Sequence, residues 1–434
     1  MRKLSKPERS WILYDWANSV HSTVISTAIF PLWFGQVAKA SSLSDTQTSF
    51  WLGTANTIYA VSISLIAVII GTLSDFRGYR RKLFVSFWIV GILSTGALVL
   101  VGIGDWVTLL ILYILSFIGF GGSNILYDAS LPDVTTPKKL DLVSSLGYGY
   151  GYIGGSTIPF VLSLVIIALL ADMDFSKGLP ANGVKISFFI TALWWFLFSL
   201  PYLRNVKQKY GIDPVRAPVV ESFKRLTRTF LELRKYKKVF LFLIAYFFYI
   251  DGVNTIIKMA TNFASSIGVG LELLLGTIIG IQILAFPFTL LYGKLAQRFG
   301  SRPFLFVGIG VYALITALGT IMPLIPVERV EIVFILVAFL VSTSQGGIQA
   351  LSRSYYASIL PDRNSSGEFF GFYNTMGRFA AIVGPFLMGA FPRIAYLVGV
   401  VDERAAYSYG VGAVFILFVI GGAFLIATGR TDNN

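Results

Sequence analysis

Runs of about 20 predominantly apolar residues recur along the whole of this sequence. An α-helix needs roughly 20 such residues to cross the ~30 Å hydrocarbon core of a bilayer. Of the 434 residues, 55% are hydrophobic and 13% are charged, about half the charge density of a soluble domain. The sequence therefore predicts an all-α membrane protein with twelve transmembrane helices, at residues 10–34, 50–73, 83–103, 106–129, 142–170, 185–203, 239–263, 272–296, 303–323, 330–352, 367–391 and 406–428.

The basic residues are distributed unevenly between the segments that join these spans. The net charge of +13 could indicate a nucleic-acid surface. If the N-terminus is cytoplasmic, however, only six of the 35 Lys and Arg residues fall in outer segments, and two, Lys258 and Arg378, lie within spans. This is the positive-inside pattern of membrane proteins. We therefore expect both termini in the cytoplasm and no nucleic-acid partner.

Several classes of enzyme and cofactor site are excluded by residue content. The chain has no cysteine and a single histidine, His21, so it lacks thiolate ligands and cannot build a typical zinc site. It also contains no ATP-binding P-loop and no nucleophile elbow. We expect a protein that is not an enzyme and that needs no metal or cofactor, so any transport must be driven by a gradient or run by facilitated diffusion.

Three short segments in the first half of the chain have counterparts in the second half. DWANS (15–19) matches DGVNT (251–255), GTLSDFRGYR (71–80) matches GKLAQRFGSR (293–302), and YDASLPD (127–133) matches YASILPD (356–362). Parallel repeats of this kind are typical of transporters whose substrate site lies between the two halves. The repeats predict an N-terminal six-helix bundle at 1–203 and a C-terminal one at 239–434.

Residues 204–238, between the two bundles, form a strongly basic cytoplasmic linker. Phe223, Leu226, Phe230 and Leu233 recur at helical spacing with basic residues between them. This pattern predicts a partly amphipathic helix that lies on anionic membrane lipid. A solvated connector that allows the two halves to move is an equally open interpretation.

The segment GTLSDFRGYRRK (71–82) matches the G-x-L-x-D-x-x-G-x-R-R/K signature of the major facilitator superfamily, and the chain resembles that superfamily over nearly its whole length. YDWANS in span one and DGV in span seven resemble the branch typified by the fungal vacuolar amino-acid effluxer of autophagy. The resemblance implies a monomer with two pseudo-symmetric six-helix bundles, alternating access around a central cavity, and a location in the bacterial inner membrane.

The same resemblance implies a conformational latch at the 71–82 loop. Asp75 can cap the amides of a neighbouring helix or pair with a cation. For the basic residues of the loop, a role as topology anchors is the alternative. In the second half Gln297 replaces the acid, so we expect a one-sided latch. The candidate latch residues are Gly71, Asp75, Gly78, Arg80, Arg81, Gly293, Gly300 and Arg302.

Polar residues form one face of span one and one face of span seven. They occupy positions i, i+3, i+4 and i+7 in both spans: Asp15, Asn18, Ser19 and Ser22, and then Asp251, Asn254, Thr255 and Lys258. Ionisable residues at membrane depth normally face a wet cavity or a partner. The two faces are therefore predicted to contact a substrate; an interdomain salt bridge that only fastens the halves is the alternative.

Asp251 lies about four helical turns into span seven, close to mid-depth. This position makes it the candidate for proton coupling, which we treat as a hypothesis. Arg378 in span eleven carries a planar guanidinium suited to a carboxylate or phosphate. Weaker candidates, each of which could equally be an interhelical hydrogen bond, are Gln345, Gln349, Gln282, Asn56 and Tyr59.

Two further features of the spans are interpreted as packing features. Glycines recur at 147, 151 and 155 in span five, a stripe that permits close approach of helices. His21 is offset from the polar face of span one, so we expect it to pack in the core; a role in proton relay is the alternative.

These observations predict a secondary transporter that moves a small polar solute, most plausibly an amino acid or related zwitterion. Protons and membrane lipids are the other expected partners. Two alternatives stay open from the sequence: a flippase for lipids or lysolipids, which would need a lateral apolar groove, and a sensor with the same fold that no longer transports.

Overall fold

A computed structural model of the chain describes residues 4–172, 178–232, 236–267, 269–380, 382–398 and 403–430. These residues are almost entirely helical, and their only β contact is an isolated bridge between Phe76 and Ile212. The α-helices, in chain order, are α1 (Lys6–His21), α2 (Ile29–Ala40), α3 (Asp45–Ser74), α4 (Tyr79–Ala97), α5 (Trp106–Ala129), α6 (Leu131–Val134), α7 (Leu140–Tyr150), α8 (Ile158–Leu170), α9 (Ala181–Asn205), α10 (Pro218–Glu232), α11 (Lys237–Ser266), α12 (Leu271–Phe299), α13 (Ser301–Ile321), α14 (Val327–Ser358), α15 (Ser366–Phe379), α16 (Val383–Leu397) and α17 (Glu403–Arg430).

Two π-helical segments interrupt the α-helices. One (Ser22–Thr27) follows α1 and the other (Gly151–Thr157) joins α7 to α8. The wider π turn leaves the regular i→i−4 ladder, and such segments are frequent at functional sites. Short 3₁₀ turns occupy Leu98–Leu100, Pro137–Lys139, Met322–Leu324 and Arg363–Ser365.

The membrane fold expected from the apolar runs is confirmed. Within the described residues, eleven helices are long and apolar enough to cross a bilayer. The predicted first span is divided instead: α1 has 16 residues and α2 has 12, and the π-helical segment lies between them. The count of twelve spans therefore stays a prediction.

Large apolar side chains are exposed along many of these helices. Leu32, Leu93 and Ile332 are each more than 60% exposed. Extended apolar surface of this kind would make a soluble protein aggregate. It fits a chain whose outer surface lies in lipid, where apolar side chains have no reason to be buried.

The chain forms two compact units, each made of several segments. The first contains Met1–Thr135, Tyr150–Leu226 and Asp362–Phe372; the second contains Thr136–Gly149, Thr227–Pro361 and Tyr373–Asn434. The first unit therefore includes the start of α15, and the second includes most of α7. The bundle boundaries predicted from the repeats, 1–203 and 239–434 with the 204–238 linker, remain a prediction.

Local sequence signals explain where several helices start. Ser5 and Glu8 form a capping box at α1, and Ser44 and Gln47 form one at α3, so the first amides of both helices have acceptors. At α4 the preceding residue is Gly78 with φ of 83°, a left-handed conformation that glycine adopts without strain.

The predicted packing role of His21 is confirmed. Its side chain is fully buried, and its ring stacks on Phe120 with centroids 4.5 Å apart. Its Nε2 lies 2.6 Å from the Ser116 hydroxyl oxygen.

The glycines of span five allow the π-helical segment to pack closely on α1. A Cβ at Gly154 would lie 1.9 Å from the ring of Trp16, and one at Gly155 would lie 2.5 Å from Ser19 Cβ. At Gly151 it would lie 2.7 Å from Ser19 Oγ. The close approach predicted from the glycine stripe is therefore present at 151 and 155.

We predict that Gly154→Ala destabilises the protein, because the added methyl group would overlap the Trp16 ring and force the two helices apart. Overpacking of this kind costs about 1–3 kcal/mol. Thermal unfolding in detergent should show a lower midpoint for this variant. Gly53→Ala is the matched control, because nothing lies within 4 Å of a Cβ there; an equal loss of stability in both variants would contradict the packing account.

Candidate functional site

A cluster of buried charges surrounds Asp75, the residue that follows α3. Asp75 Oδ1 accepts a hydrogen bond from the Gly367 amide at 2.7 Å, and Oδ2 accepts one from the Glu368 amide at 3.1 Å. These amides belong to the first turn of α15, where no intrahelical acceptor exists. The carboxylate, fully buried, therefore caps a helix that is almost 300 residues away in the sequence.

Arg80, in the first turn of α4, holds this carboxylate and a second one. Its Nη2 donates to Asp75 Oδ1 at 3.3 Å and to Ser366 Oγ at 2.9 Å. Its Nη1 donates to Asp133 Oδ2 at 2.5 Å and to the Ala129 carbonyl at 3.0 Å. Both contacts considered for Asp75 from the sequence, a helix cap and an ion pair, are thus present together.

The linker is joined to the same cluster at two points. Asp133 Oδ1 accepts the amides of Lys209 and Tyr210, each at 2.9 Å. On α10, Arg225 Nη2 lies 2.8 Å from Glu368 Oε2 and 3.5 Å from Asp75 Oδ2. A buried charge is costly unless it is paired and hydrogen-bonded. Asp75 and Asp133 each have an arginine and backbone amides as partners, whereas Glu368 has Arg225 at Oε2 and no partner at Oε1 among the described residues.

Glycine at position 71 allows α3 to meet α15 backbone to backbone. A Cβ at Gly71 would lie 2.3 Å from the Gly367 carbonyl oxygen, and one at Gly367 would lie 2.1 Å from Ser74 Oγ. No larger residue fits without separating the helices. The glycine of the signature therefore brings Asp75 within hydrogen-bonding distance of the α15 amides.

The charge state of Asp75 depends on its burial. Burial raises the pKa of Asp75 to about 7, although Arg80, Arg225 and the amides of Glu368 and Gly367 all favour the charged form. An exposed aspartate has a pKa of about 3.9. Conformations that bury Asp75 are therefore favoured at low pH relative to those that expose it, and this preference declines as the pH rises through 7.

The second-half copy of the loop makes a different set of contacts. Gln297 Nε2 donates to the Lys138 carbonyl at 3.0 Å, and a Cβ at Gly293 would lie 2.5 Å from Ser145 Cβ. Gly300 has φ of 89°, and Arg302 donates to the Leu425 and Ile426 carbonyls at the end of α17. In this copy no carboxylate stands at the position of Asp75, as the sequence indicates.

The polar face of span one is largely buried within the first unit. Asp15 and Asn18 are less than 10% exposed, and Asn18 Nδ2 donates to Asn124 Oδ1 at 2.6 Å. Ser19 Oγ donates to the Asp15 carbonyl at 2.7 Å. Ser22 begins the π-helical segment that interrupts the span.

The polar face of span seven lies beside a break in span eleven. Span eleven consists of α15, which ends at Phe379, and α16, which begins at Val383. Asp251 is fully buried, and its two carboxylate oxygens lie 3.1 and 3.0 Å from the Gly384 amide in the first turn of α16. Thr255 Oγ1 also donates to Asp251. This carboxylate therefore caps the second half of a discontinuous helix.

One cation, Lys258, lies near this carboxylate, and a second, Arg378, lies near Lys258. Lys258 has an exposed side chain and interacts electrostatically with Asp251 and Arg378. Arg378, one residue before the end of α15, is partly buried. Asn254 is also partly buried. Asp251 and Thr255 thus lie at the break in span eleven, and Lys258 interacts with Asp251 and with Arg378 near the end of α15.

The weaker candidates are dispersed. Asn56 accepts a hydrogen bond from the Tyr113 hydroxyl at 2.8 Å, and Tyr59 stacks on Phe117 with centroids 4.2 Å apart. Both contacts join α3 to α5. Asn56 and Tyr59 therefore make contacts between helices, which is the alternative to a substrate-binding role. Gln345 is buried, whereas Gln349 and Gln282 are partly exposed. Arg81 is exposed at the start of α4.

Sequence reasoning missed several charged residues that the structure places at the Asp75 cluster. Asp133, Arg225 and Glu368 all contact it. The repeated Leu-Pro-Asp motif at 131–133 could have indicated Asp133. Arg225 carried no such signal, because the linker pattern places it among other basic residues of an amphipathic helix.

Arg353 was also missed, because it lies one residue beyond the predicted span ten. It is only 2% exposed and donates to Ser144 Oγ at 3.0 Å. Its guanidinium carbon lies 4.3 Å from the centre of the Tyr148 ring, a cation–π contact. It therefore belongs to the packed interior of the second unit and not to a membrane surface.

The chain is similar in sequence to a family of transporters. Residues 5–429 match the family described as vacuole effluxer Atg22 like. The uncharacterized MFS-type transporter YxiO of Bacillus subtilis (strain 168) is 44% identical over 97% of this chain and 94% of its own length. Autophagy-related protein 22 of Eremothecium gossypii is 24% identical over 83% of this chain and 74% of that protein.

Solved structures of low sequence identity share the fold. The proton:xylose symporter XylE, of the major facilitator superfamily, superposes with a TM-score of 0.68 at 15% identity, covering 98% of this chain and 95% of that one. A bacterial homologue of the iron transporter ferroportin, in its outward-facing state, gives a TM-score of 0.72 at 13% identity, covering 98% and 99%.

We predict that Asp75→Ala lowers the free energy of unfolding by about 3 kcal/mol, because it strands Arg80 and the first amides of α15. Denaturant titration in detergent micelles measures this loss. Asp213→Ala is the matched control, since Asp213 is 88% exposed and pairs only weakly with Arg77 at 3.7 Å. A similar change in both variants would show that the Asp75 cluster contributes no specific stability.

Proposed function

The chain belongs to the family of Atg22-like vacuole effluxers within the major facilitator superfamily, and from this premise we propose that it transports a small zwitterion, most plausibly an amino acid. It is a secondary transporter and not an enzyme. Its homologues and structural neighbours are transporters of that superfamily. The identity of the solute and the coupling to protons are the proposed parts.

One observation carries the choice of solute: Asp251 caps the first turn of α16 at a break within span eleven. The exposed amides at the start of a helix attract anions. Transporters use such half-helix N-termini inside the membrane to bind the carboxylate of a substrate. A substrate carboxylate has the chemistry to take the place that the Asp251 carboxylate occupies here.

The residues around the break also match the other charges of a zwitterion. Arg378 and Lys258 offer cations to the substrate carboxylate. Asp251, once displaced from α16, offers an anion to the substrate ammonium group. The description of the family, vacuole effluxer Atg22 like, supports a protein that moves a solute across a membrane.

We further propose that the Asp75 cluster is a conformational latch. The cap on α15 and the contact between Gly71 and Gly367 hold one conformation, and both contacts must separate for α15 to move. Protonation of Asp251 is the proposed coupling step, because a neutral carboxyl group leaves the α16 amides more readily than a carboxylate.

We predict that an amino-acid panel raises the thermal unfolding midpoint of the wild-type protein, and that Lys258→Ala removes the response. Loss of the cation should weaken binding of the substrate carboxylate by about tenfold or more. Lys294→Ala, an exposed lysine near the end of α12, is the control. Stabilisation by lipids alone, or an unchanged response of Lys258→Ala, would refute the zwitterion site.

Asp251→Asn separates coupling from binding. We predict that the variant exchanges solute in counterflow assays with proteoliposomes but no longer accumulates it when a pH gradient is imposed. The amide keeps the size of the side chain but cannot take up a proton at neutral pH. Full gradient-driven accumulation by Asp251→Asn would show that this residue does not carry the coupling proton.

A further inference from the structure

A cavity of about 210 Å³ lies within the first unit, next to the Asp75 cluster but separate from the proposed solute site. It is bounded by the start of α4, the end of α9 and the first residues of the linker. Three cations, Arg80, Arg81 and Lys207, line one part of it. The apolar side chains of Phe84, Leu203 and Val206 line another.

The start of α4 adds a second source of positive potential to this cavity. Gly78 precedes the helix and also lines the cavity, and no side chain caps this N-terminus. The helix has 19 residues, so its macrodipole is fully developed. The amides of Gly78 and Tyr79 already donate to Gln208 Oε1 and to the Phe76 carbonyl, so the helix dipole is what favours an anion here. Phosphate groups are common ligands at the start of a helix.

Arg80 provides independent evidence for a missing acceptor. It is only 4% exposed, and Nη1 and Nη2 are engaged by Asp133, Ala129, Asp75 and Ser366. Its Nε is buried and has no acceptor among the residues that the structure describes. An unmet guanidinium donor costs free energy, and a ligand anion in the cavity would relieve that cost.

The one carboxylate that lines the cavity does not exclude an anion. Asp133 is buried, and both its oxygens are occupied: one by Arg80 and the other by the amides of Lys209 and Tyr210. Arg80 is itself paired with Asp133 and Asp75, so the net positive charge of the lining comes from Arg81 and Lys207.

We propose that this cavity binds a phosphate group attached to an apolar or glyceryl body. The cations would hold the phosphate at the positive end of the α4 dipole, and Phe84, Leu203 and Val206 would contact the body of the ligand. Both an anionic phospholipid at the membrane surface and a soluble phosphate ester have this chemistry.

Binding at this cavity stabilises the Asp75 cluster. The ligand uses the donors of Arg81, Lys207 and Arg80 Nε, and leaves Nη1 and Nη2 on their present acceptors. It therefore adds to the existing contacts instead of competing with them. A ligand present at ten times its Kd should raise the unfolding midpoint of the full chain by about 1.5 °C.

The test compares unfolding midpoints of the full chain in nanodiscs of phosphatidylglycerol and of phosphatidylcholine, and in detergent with and without glycerol 3-phosphate. A midpoint raised in phosphatidylglycerol only identifies the lipid as the ligand. A similar rise with glycerol 3-phosphate identifies a soluble phosphate ester. No rise in either arm overturns the proposal. The readout needs no transport, so it is independent of the proposed function.

Two variants and a control locate the effect. The double variant Arg81→Gln/Lys207→Gln removes two cations of the cavity, and Val206→Trp fills it without changing charge; both should abolish the rise. Arg216→Gln/Lys224→Gln removes two exposed linker cations outside the cavity and should retain the rise. A rise retained in both cavity variants, or lost equally in the control, would overturn the site.

Discussion

The carboxylate of Asp75 on the first turn of α15 is the interaction around which the rest of the first unit is arranged. A buried carboxylate is stable only when every lone pair finds a donor. The chain meets this demand with two helix amides, with Arg80 and with Arg225 of the linker. These partners come from distant parts of the sequence, so one side chain ties the start of span eleven and the linker to the loop after span two. We propose that this interaction is made in one transport conformation and broken in the other.

Discontinuous helices are the second theme of the structure. Spans one and five each contain a π-helical segment, and span eleven is divided between α15 and α16. Backbone groups left unpaired at membrane depth are tolerated only where protein or a wet cavity satisfies them. At α16 the partner is Asp251, which we propose a substrate carboxylate replaces. The proposed solute site is thus a consequence of the broken helix. The carboxylate of Asp251, in span seven, is the hydrogen-bond acceptor for the exposed amide at the start of α16.

The sequence was informative wherever a rule of local chemistry applied. Apolar runs predict the spans, the signature loop predicts the surroundings of Asp75, and the glycine stripe predicts close packing of span five. The breaks were not predicted, because no simple pattern specifies a π-helical segment. Pro385 lies in the first turn of α16, where a helix tolerates proline, and could have indicated a helix start within span eleven. The inward direction of Arg225 and the burial of Arg353 depend on tertiary contacts that hydropathy does not encode.

The most direct test of the latch is the accessibility of α3 beside α15 during transport. Ser74 is fully buried next to Gly367, and the chain has no native cysteine, so Ser74→Cys introduces a single buried thiol of similar size. Alkylation of this thiol by a maleimide can be measured in proteoliposomes with and without solute counterflow. The account predicts that the thiol reacts during counterflow and is protected when no solute is present. A thiol that stays protected during wild-type counterflow would show that α3 and α15 need not separate, and the latch would be refuted.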